Sequence, residues 1–458
     1  MEAGIARERS LVWLTALVFI LGGVFGGGPT SANLSMFVEL PAAFLLALGL
    51  AGMIDGRYPR QALPALIFLG LVCLVPLIQL IPLPSSYWGG LKGRAVPAAI
   101  AHLVGLGNLP RPLSLMPEET RLGMLTLIVP VSIFIATLQI GSAGRDLLLR
   151  VIVGFAFLSA IVGVFQLGAG SGFHLDIYRQ VHEGYPIGFF ANRNHEGDLL
   201  LIALPACAYL IRSMDIRTQT KLWAGIAATL FLSLAVISTQ SRTAVSLLPI
   251  ALGGVLAVWI GTVRDKRIWA GFGVLAAGLL AGYVVLKLTP VGHHLLGRFG
   301  SVGDDLRPKI WANSWTAVGG FWPFGSGVGS FVPVYQMFED LDSVQDSWVN
   351  HAHNDYIEIL LETGIAGAAL MAAYVILAGL SLLAEAPRQL RRQRYVAISA
   401  ILILLAHSLT DYPLRTFALL SIFAFANAML FLPSEERRAL RRGTHPAQPP
   451  PGFGEQSA

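Results

Sequence analysis

Long apolar runs alternate with short polar segments along most of the chain. The runs lie near residues 11–28, 36–54, 63–83, 121–140, 147–167, 196–211, 222–239, 243–261, 268–288, 364–384, 395–411 and 416–432. Each is close to the length that an α-helix needs to cross about 30 Å of hydrocarbon. The pattern predicts an all-α polytopic membrane protein with about 12 transmembrane helices. The first run follows a basic N-terminus like that of a signal peptide, but we expect it to remain as an uncleaved span.

The positions of the basic residues predict which side of the membrane each polar segment occupies. If the N-terminus is inside, 20 of the 32 Lys and Arg residues lie on the inner segments, and every inner segment carries at least two. This is the positive-inside pattern, and it predicts that both termini are cytoplasmic. The long segments 84–120, 168–195 and 289–352 then lie outside, and the last of them is a large periplasmic loop between spans 9 and 10.

Composition supports the membrane interpretation. The 458 residues are 54% hydrophobic and only 13% charged, with a mean hydropathy of +0.64. Soluble domains carry about 25% charged residues. We therefore expect one polytopic membrane domain over residues 1–435 and a basic, Pro-rich cytoplasmic tail over 436–458, which we expect to be disordered. The two cysteines lie in apolar runs and do not indicate a disulfide framework.

The stretch 350–367 combines an unusual density of polar side chains with the start of an apolar run. Interpreted as a helix entering the membrane, it places His353, Ile357, Leu360 and Gly364 on one face. Gly364 and Ala368 then have the small-x-x-x-small spacing that lets another helix approach closely. The alternative is an ordinary interfacial helix start, capped by Asn350 or Asn354.

Four arginines, namely Arg193, Arg242, Arg307 and Arg415, fall at the predicted outer ends of spans or in outer loops. Asp411 is close to Arg415 in sequence and offers it a local partner. By contrast, no acidic residue lies within ten positions of Arg242. A guanidinium keeps its charge and binds phosphate bidentately, so Arg242 is a candidate anion ligand. Arg193 is followed by His195, which we expect to pair with its neighbour Glu196.

Two other patterns resemble binding sites. The glycines at 325, 327 and 329 resemble a nucleotide loop but lack the Lys-Ser/Thr of a P-loop, so we discard that interpretation. Asp340 and Asp342 are the best candidate for a metal site, although we interpret them as part of a solvated acidic run.

Several short motifs together resemble the O-antigen ligase family of bacterial polysaccharide enzymes. That family includes lipopolysaccharide O-antigen ligases, Wzy-type polymerases and protein O-oligosaccharyltransferases. His353-Asn354, nine further residues and then Gly364-x-x-Gly367 match a family motif. Four other elements are similar in matching order: 192–195, 241–243, Arg307 with the segment up to 329, and 407–413. The resemblance covers about residues 75–435, with its core at about 190–385.

The resemblance implies a GT-C-like membrane glycosyltransferase fold with about 12 spans. It implies a periplasmic site in the bacterial inner membrane that takes a glycan from an undecaprenyl-diphosphate donor. Carried over by motif, Arg193, Arg242, Arg307 and Asn354 would bind the donor diphosphate, and His353 and Arg242 would be catalytic. His353 would either accept a proton from the acceptor hydroxyl or orient the phosphate. We expect no metal ion, no cofactor and no nucleic-acid partner.

The acceptor and the competing function class stay open at this point. The acceptor could be lipid A-core, a second lipid-linked glycan or a protein. The rival class is a transporter or flippase of the same lipid, which should show inverted repeats and charges near the midplane of the membrane. The charges here lie at the predicted outer ends of spans, which favours an enzyme.

Overall fold

The computed structural model describes residues 2–28, 32–56, 58–169, 177–178, 181–182, 184–259, 288, 306–344, 348–383 and 388–432. Of the predicted span 268–288, only Leu288 is among these residues. The basic cluster at 264–267, the first part of the large loop at 289–305 and the tail at 436–458 lie outside them.

The described residues form α-helices almost throughout, with one pair of two-residue strands. The α-helices are α1 (Glu2–Phe25), α2 (Ala32–Ile54), α3 (Leu63–Gln79), α4 (Ser85–Gly90), α5 (Ala95–Leu103), α6 (Pro117–Thr126), α7 (Ile128–Thr137), α8 (Ser142–Ala169), α9 (Arg193–Ser213), α10 (Thr218–Ser238), α11 (Arg242–Trp259), α12 (Arg307–Phe321), α13 (Phe331–Gln336), α14 (Asp355–Leu383), α15 (Arg388–His407) and α16 (Phe417–Leu430). The strands β1 (Pro82–Leu83) and β2 (Arg111–Pro112) pair antiparallel, and 3₁₀ turns occupy Arg60–Ala62, Leu341–Ser343 and Pro413–Arg415.

Eight helical segments in the described part of the chain are long and apolar enough to cross a membrane. They correspond to α1, α2, α3, α6 with α7, α8, α10, α11 and α14. The all-α polytopic prediction is thereby confirmed. Three further helices match predicted spans but are not among the eight, since α9 and α15 carry more polar residues and α16 has only 14 residues. A total of about 12 spans and the GT-C-like topology stay predictions.

The centre of the bundle is α9. Every residue from Asn194 to Ile211 is buried, and the helix packs against α8, α10, α11 and α15. Protein therefore surrounds this helix on all sides. That position explains how α9 carries His195, Glu196 and Asp198, because ionisable side chains are tolerated at membrane depth where they face protein partners instead of lipid.

The stretch around 350–367 folds differently from the sequence-based prediction. The helix begins at Asp355, and Asn354 caps it by accepting from the backbone N–H groups of Tyr356 (3.0 Å) and Ile357 (3.1 Å). The capping alternative is thus correct for Asn354. His353 precedes the helix, so the predicted face from His353 to Gly364 is wrong.

Gly364 kinks α14 and does not serve as a helix-packing position with Ala368. Its φ of 58° and ψ of −135° interrupt the helix, and the backbone of Pro323 and Gly325 approaches it closely. The N–H of Ile365 beyond the kink donates to the Pro323 carbonyl at 2.8 Å. The absence of a side chain at Gly364 therefore permits close approach of the loop that contains Pro323 and Gly325, and not of another helix.

That loop contains the three glycines at 325, 327 and 329, and all three have positive φ. The N–H of Gly327 donates to the Glu362 carbonyl at 2.9 Å, and the N–H of Gly329 donates to the Glu362 carboxylate at 2.8 Å. The glycines are needed because side chains there would collide with Glu362, Ser114 and Glu119. The glycine pattern thus serves to dock this loop on α14.

Candidate functional site

The loop 408–412, between α15 and the turn Pro413–Arg415, is where the predicted site segments meet. We call it the hub loop. Four helices begin beside it. Asn194 of α9 donates to Asp411, and Arg307 of α12 lies 3.6 Å from the same carboxylate. Thr243 of α11 hydrogen-bonds Thr410 at 3.2 Å, and the N–H of Asp355 of α14 donates to the Ser408 carbonyl at 3.0 Å. Residues far apart in sequence are therefore brought to one place.

His353 is held against the hub loop by its side chain and by its backbone. Its Nδ1 lies 3.2 Å from Oδ1 of Asp411. Its carbonyl accepts from the indole N–H of Trp311 at 3.3 Å, and its φ of 48° is a left-handed conformation that is rare for a residue with a side chain. Because an ionised carboxylate only accepts hydrogen bonds, Asp411 fixes the proton of a neutral His353 on Nδ1 and leaves Nε2 with a lone pair.

Asp411 is fully buried, and several groups compensate its charge. Oδ2 accepts from Asn194 and lies 3.6 Å from Arg307. Burial opposes the ionisation of Asp411, but the hydrogen bond from His353 and the favourable electrostatics of the neighbouring histidines outweigh burial and hold the pKa of Asp411 well below its ordinary value. Asp411 is therefore an anion that links His353 to the basic side of the site.

A second buried pair lies behind Asp411. Nδ1 of His407 is 2.5 Å from Oδ1 of Asp198, and its Nε2 is 4.0 Å from Oδ2 of Asp411. Both members of the pair are fully buried. Asp198, His407, Asp411 and His353 thus form a continuous line from the interior of the bundle to a half-buried histidine.

Tyr412 separates three histidine rings. The ring of His351 lies 4.3 Å from it, that of His353 5.0 Å and that of His195 5.3 Å. The tyrosine hydroxyl accepts from the Asn350 side-chain amide at 3.3 Å. Burial raises the pKa of Tyr412 above its ordinary value, so the phenol stays protonated.

The predicted pairing of His195 with Glu196 is wrong. Glu196 accepts a hydrogen bond from Ser159 at 2.6 Å, whereas His195 is buried edge-on against Tyr412. The two side chains leave α9 in different directions because they are consecutive on a helix. His195 therefore belongs to the surroundings of the hub loop.

The three arginines predicted to bind phosphate each occupy the first residue of a helix. Arg193 begins α9, Arg242 begins α11 and Arg307 begins α12, and all three are partly exposed. Arg193 also lies over the ring of Tyr185 at 3.9 Å. The N-terminus of a helix carries a partial positive charge and unpaired N–H groups. Three arginines added to three such termini beside one loop create a region suited to an anion.

Arg415 belongs to a different cluster, so the sequence-based assignment of Asp411 as its partner is wrong. Its guanidinium lies 3.2 Å from Glu362, 3.5 Å from Glu358 and 3.5 Å from Asp355, which share one face of α14. Burial alone would lower the pKa of Arg415, but the three carboxylates outweigh burial and raise it above its ordinary value. With three acidic partners, Arg415 ties α14 to the turn after the hub loop and is not a phosphate ligand.

His351 also belongs to this acidic cluster. Its Nδ1 lies 3.0 Å from Oε1 of Glu358, whose other oxygen accepts from the N–H of Ala352 at 2.9 Å. Glu358 therefore fixes the backbone of the residue directly before His353. The structure separates the two histidines: His351 faces α14, and His353 faces Asp411.

The rival metal site receives no support from the described residues. Asp340 and Asp342 are exposed, and no group of three His, Cys, Asp or Glu that could hold a metal occurs in the part of the chain that the structure describes. The absence of a metal requirement remains a prediction.

Sequence reasoning missed Asp411, Asp198 and His407 as members of the site. The segment 407–413 is recognisable as a motif, but proximity in sequence suggests Arg415 as the partner of Asp411. The available signal is the co-occurrence of a histidine, three hydroxyl-bearing residues and an acid within this short segment. Its partners come from α9, α12 and the start of α14, and no local pattern identifies them.

The sequence model of a protein family described as O-antigen ligase (Wzy_C) matches residues 227–372 of this chain. The match covers less than half of the chain and contains Arg242, Arg307, His353 and Asn354, whereas Arg193 and the hub loop lie outside it. It confirms the family resemblance predicted from the motifs. A search of curated proteins gives no match.

Proposed function

We propose that this O-antigen ligase-like membrane protein transfers a glycan from undecaprenyl diphosphate to an acceptor hydroxyl on the periplasmic side of the inner membrane. The observation that supports the proposal most directly is the meeting of three arginine-bearing helix N-termini and the His353–Asp411 pair at one loop. The transfer requires cations that bind the diphosphate and a base that accepts the proton of the acceptor hydroxyl.

The arginines would bind the donor diphosphate and stabilise the charge that develops on it. When the acceptor oxygen bonds to the anomeric carbon, the bond from that carbon to the phosphate oxygen breaks, and its electron pair leaves with the diphosphate. Arg193, Arg242 and Arg307, each at a helix N-terminus, are fixed cations for this charge. Asn354 caps α14, and its side-chain amide donates a hydrogen bond to the Leu409 carbonyl at 2.9 Å. It thereby holds the His353 segment in place and does not need to contact the lipid diphosphate.

His353 would take the proton that the acceptor hydroxyl loses. Asp411 directs Nδ1–H of His353 toward itself, which leaves Nε2 to accept that proton. The same carboxylate then stabilises the imidazolium that forms. In the alternative role, where His353 orients the donor phosphate, Nε2 would have to carry a proton. The contact with Asp411 favours the role as base.

A transporter of lipid-linked glycans is the second candidate function. The described cations of the site lie at helix starts around a single loop, and the buried line from His353 ends at Asp198. Neither feature requires a path across the membrane. The arrangement therefore supports chemistry at one surface.

The decisive experiment is reconstitution of the purified protein with a lipid-linked oligosaccharide and one acceptor at a time. Lipid A-core, a second lipid-linked glycan and a protein acceptor would be supplied separately, and the product would be sized. We expect one acceptor to gain the glycan with release of undecaprenyl diphosphate. Translocation of the donor across proteoliposomes without any transfer would overturn the enzymatic proposal and support the transporter.

A further inference from the structure

The segment 84–110, which we call the surface hairpin, is held at one end of α3. It leaves α3 only a few residues after Gln79 and returns through β2, whose residues Arg111 and Pro112 pair with Leu83 and Pro82. Both ends of the hairpin are therefore fixed where α3 ends. Since α3 is long and apolar enough to cross the membrane, its end lies near the membrane surface.

Two side chains fix which side of the surface hairpin faces the protein. The indole N–H of Trp88 donates to the Pro112 carbonyl at 2.6 Å. The guanidinium of Arg94 is fully buried and donates to the carbonyls of Leu113 (2.6 Å) and Gly325 (3.0 Å). The hairpin is thereby connected to the glycine loop that docks on α14. Its orientation is not free to change without breaking these bonds.

The opposite side of the surface hairpin is apolar and exposed. Along α5 and the turn after it, Val96, Ile100, Leu103 and Val104 are exposed, and Leu103 is 87% exposed. Contiguous exposed apolar surface is uncommon on a protein face that contacts only water. The region must therefore be covered by something apolar when the protein is in its native surroundings.

The charges of this region indicate what covers it. No acidic residue occurs between positions 84 and 117, whereas Lys92, His102 and Arg111 do, in addition to the buried Arg94. An apolar face combined with basic residues and no acids is typical of segments that lie in a membrane interface, where the basic side chains reach lipid phosphates. Ile78, near the end of α3, and Ile81, just beyond it, are exposed as well.

We propose that the surface hairpin lies in the lipid interface on the side of the candidate site, with Ile100 and Leu103 of its apolar face among the acyl chains. Because Arg94 joins it to the glycine loop, the hairpin also sets the depth of the site relative to the lipid phosphates. This inference rests on the chain being a membrane protein and not on the chemistry proposed above.

The test compares two equally exposed leucines. Leu103 is 87% exposed in the surface hairpin, and Leu341 is 90% exposed between two aspartates in another loop. Each would be replaced by cysteine in the full chain carrying Cys73→Ala and Cys207→Ala, labelled with bimane and placed in lipid nanodiscs. Quenching would be measured with doxyl-labelled lipids and, separately, with aqueous iodide.

We expect the label at position 103 to show blue-shifted emission, strong loss of fluorescence with doxyl lipid and little loss with iodide. The label at position 341 should show the reverse. Strong iodide quenching at both positions would place the hairpin in water and overturn the proposal. Protection of position 103 from both quenchers would show that a protein surface covers it, and that result would overturn the proposal as well. Leu103→Glu should red-shift the emission of a bimane label attached at Ile100→Cys. The control Leu341→Glu should leave that emission unchanged.

Discussion

Asp411 determines which nitrogen of His353 is available for chemistry. It is buried, its charge is compensated by Asn194 and Arg307, and its Oδ1 lies 3.2 Å from Nδ1 of His353. A histidine without such a partner would exchange between tautomers and rotate more freely. At the scale of single residues, the hypothesis that His353 is a base therefore depends on Asp411, for which proximity in sequence predicts Arg415 as the partner.

Asp411→Asn tests this dependence. The amide keeps the size of the carboxylate, but it no longer stabilises an imidazolium. It also places an N–H group where Asn194 and Arg307 need a hydrogen-bond acceptor. We expect turnover to fall roughly 10²-fold, within the range for loss of general base catalysis, while donor affinity changes little. Single-turnover rate and donor affinity, measured at matched membrane abundance, separate the two effects. Asp342→Asn, at an exposed position, is the control. An unchanged rate for Asp411→Asn would contradict the role given to the pair.

Arg242→Lys tests whether the arginines bind phosphate through their planar fork. Lysine keeps the positive charge at the start of α11 but cannot form a bidentate contact. Loss of one charge-assisted contact should lower the rate roughly ten- to a hundredfold. Donor affinity and single-turnover rate should both fall, whereas Lys309→Ala, at an exposed position of α12, should leave both unchanged. Wild-type rates in both Arg242→Ala and His353→Ala would exclude the proposed site.

At the scale of elements, α14 is the part on which the site depends. Arg415 holds three of its carboxylates, Asn354 caps it, and the glycine loop docks at its kink. Removing the guanidinium would leave buried carboxylates without a cation, at a cost of about 3–5 kcal/mol. Arg415 is therefore a residue of the fold, and its loss should lower stability before it alters chemistry.

Gly364→Ala tests the kink. A Cβ at this position would collide with the Pro323 carbonyl oxygen, and the positive φ disfavours any residue with a side chain. Strain of this kind costs about 1–3 kcal/mol before the collision is counted. We expect a lower temperature of unfolding and a loss of activity. Gly379→Ala in the same helix meets nothing within 4 Å and should be neutral or slightly stabilising. Equal behaviour of the two variants would show that the docking of the glycine loop on the kink is unimportant.

The sequence predicted the helices well and the partners of the site poorly, for a physical reason. Apolar run length and basic-residue placement are local properties, so the positions of α1, α8 and α10 could be recognised directly. The cap at Asn354 was also a local signal. The pairing of Asp411 with His353, and of Arg415 with α14, depends on which helices pack around α9. Proximity in sequence was a misleading guide there, because the turn Pro413–Arg415 directs Arg415 away from Asp411.

At the scale of the whole molecule, the positive charge of the site comes from arginines and helix N-termini, so transfer should not need a divalent ion. We expect activity to survive excess EDTA with less than a roughly twofold change, a difference of about 0.4 kcal/mol in the barrier. The measurement is glycan transfer in reconstituted liposomes before and after chelation. Loss of transfer that Mg²⁺ or Mn²⁺ restores would move attention to Asp340 and Asp342. In that case Asp340→Asn and Asp342→Asn should abolish the metal response.

The orientation of the bundle determines whether the site can meet a periplasmic acceptor. The basic residues predict that the segments around Arg60, Arg217 and Arg392 are cytoplasmic, and that Gly105 and Asp340 lie outside. Phosphatase and β-galactosidase fusions at these positions would report each side, since the first enzyme is active only outside the cytoplasm and the second only within it. The hub loop lies on the same side as Asp340 if α14 and α15 each cross the membrane once. A cytoplasmic signal at Asp340 would place the arginines and His353 on the inner side and overturn the proposed periplasmic transfer, whatever the chemistry of the isolated protein.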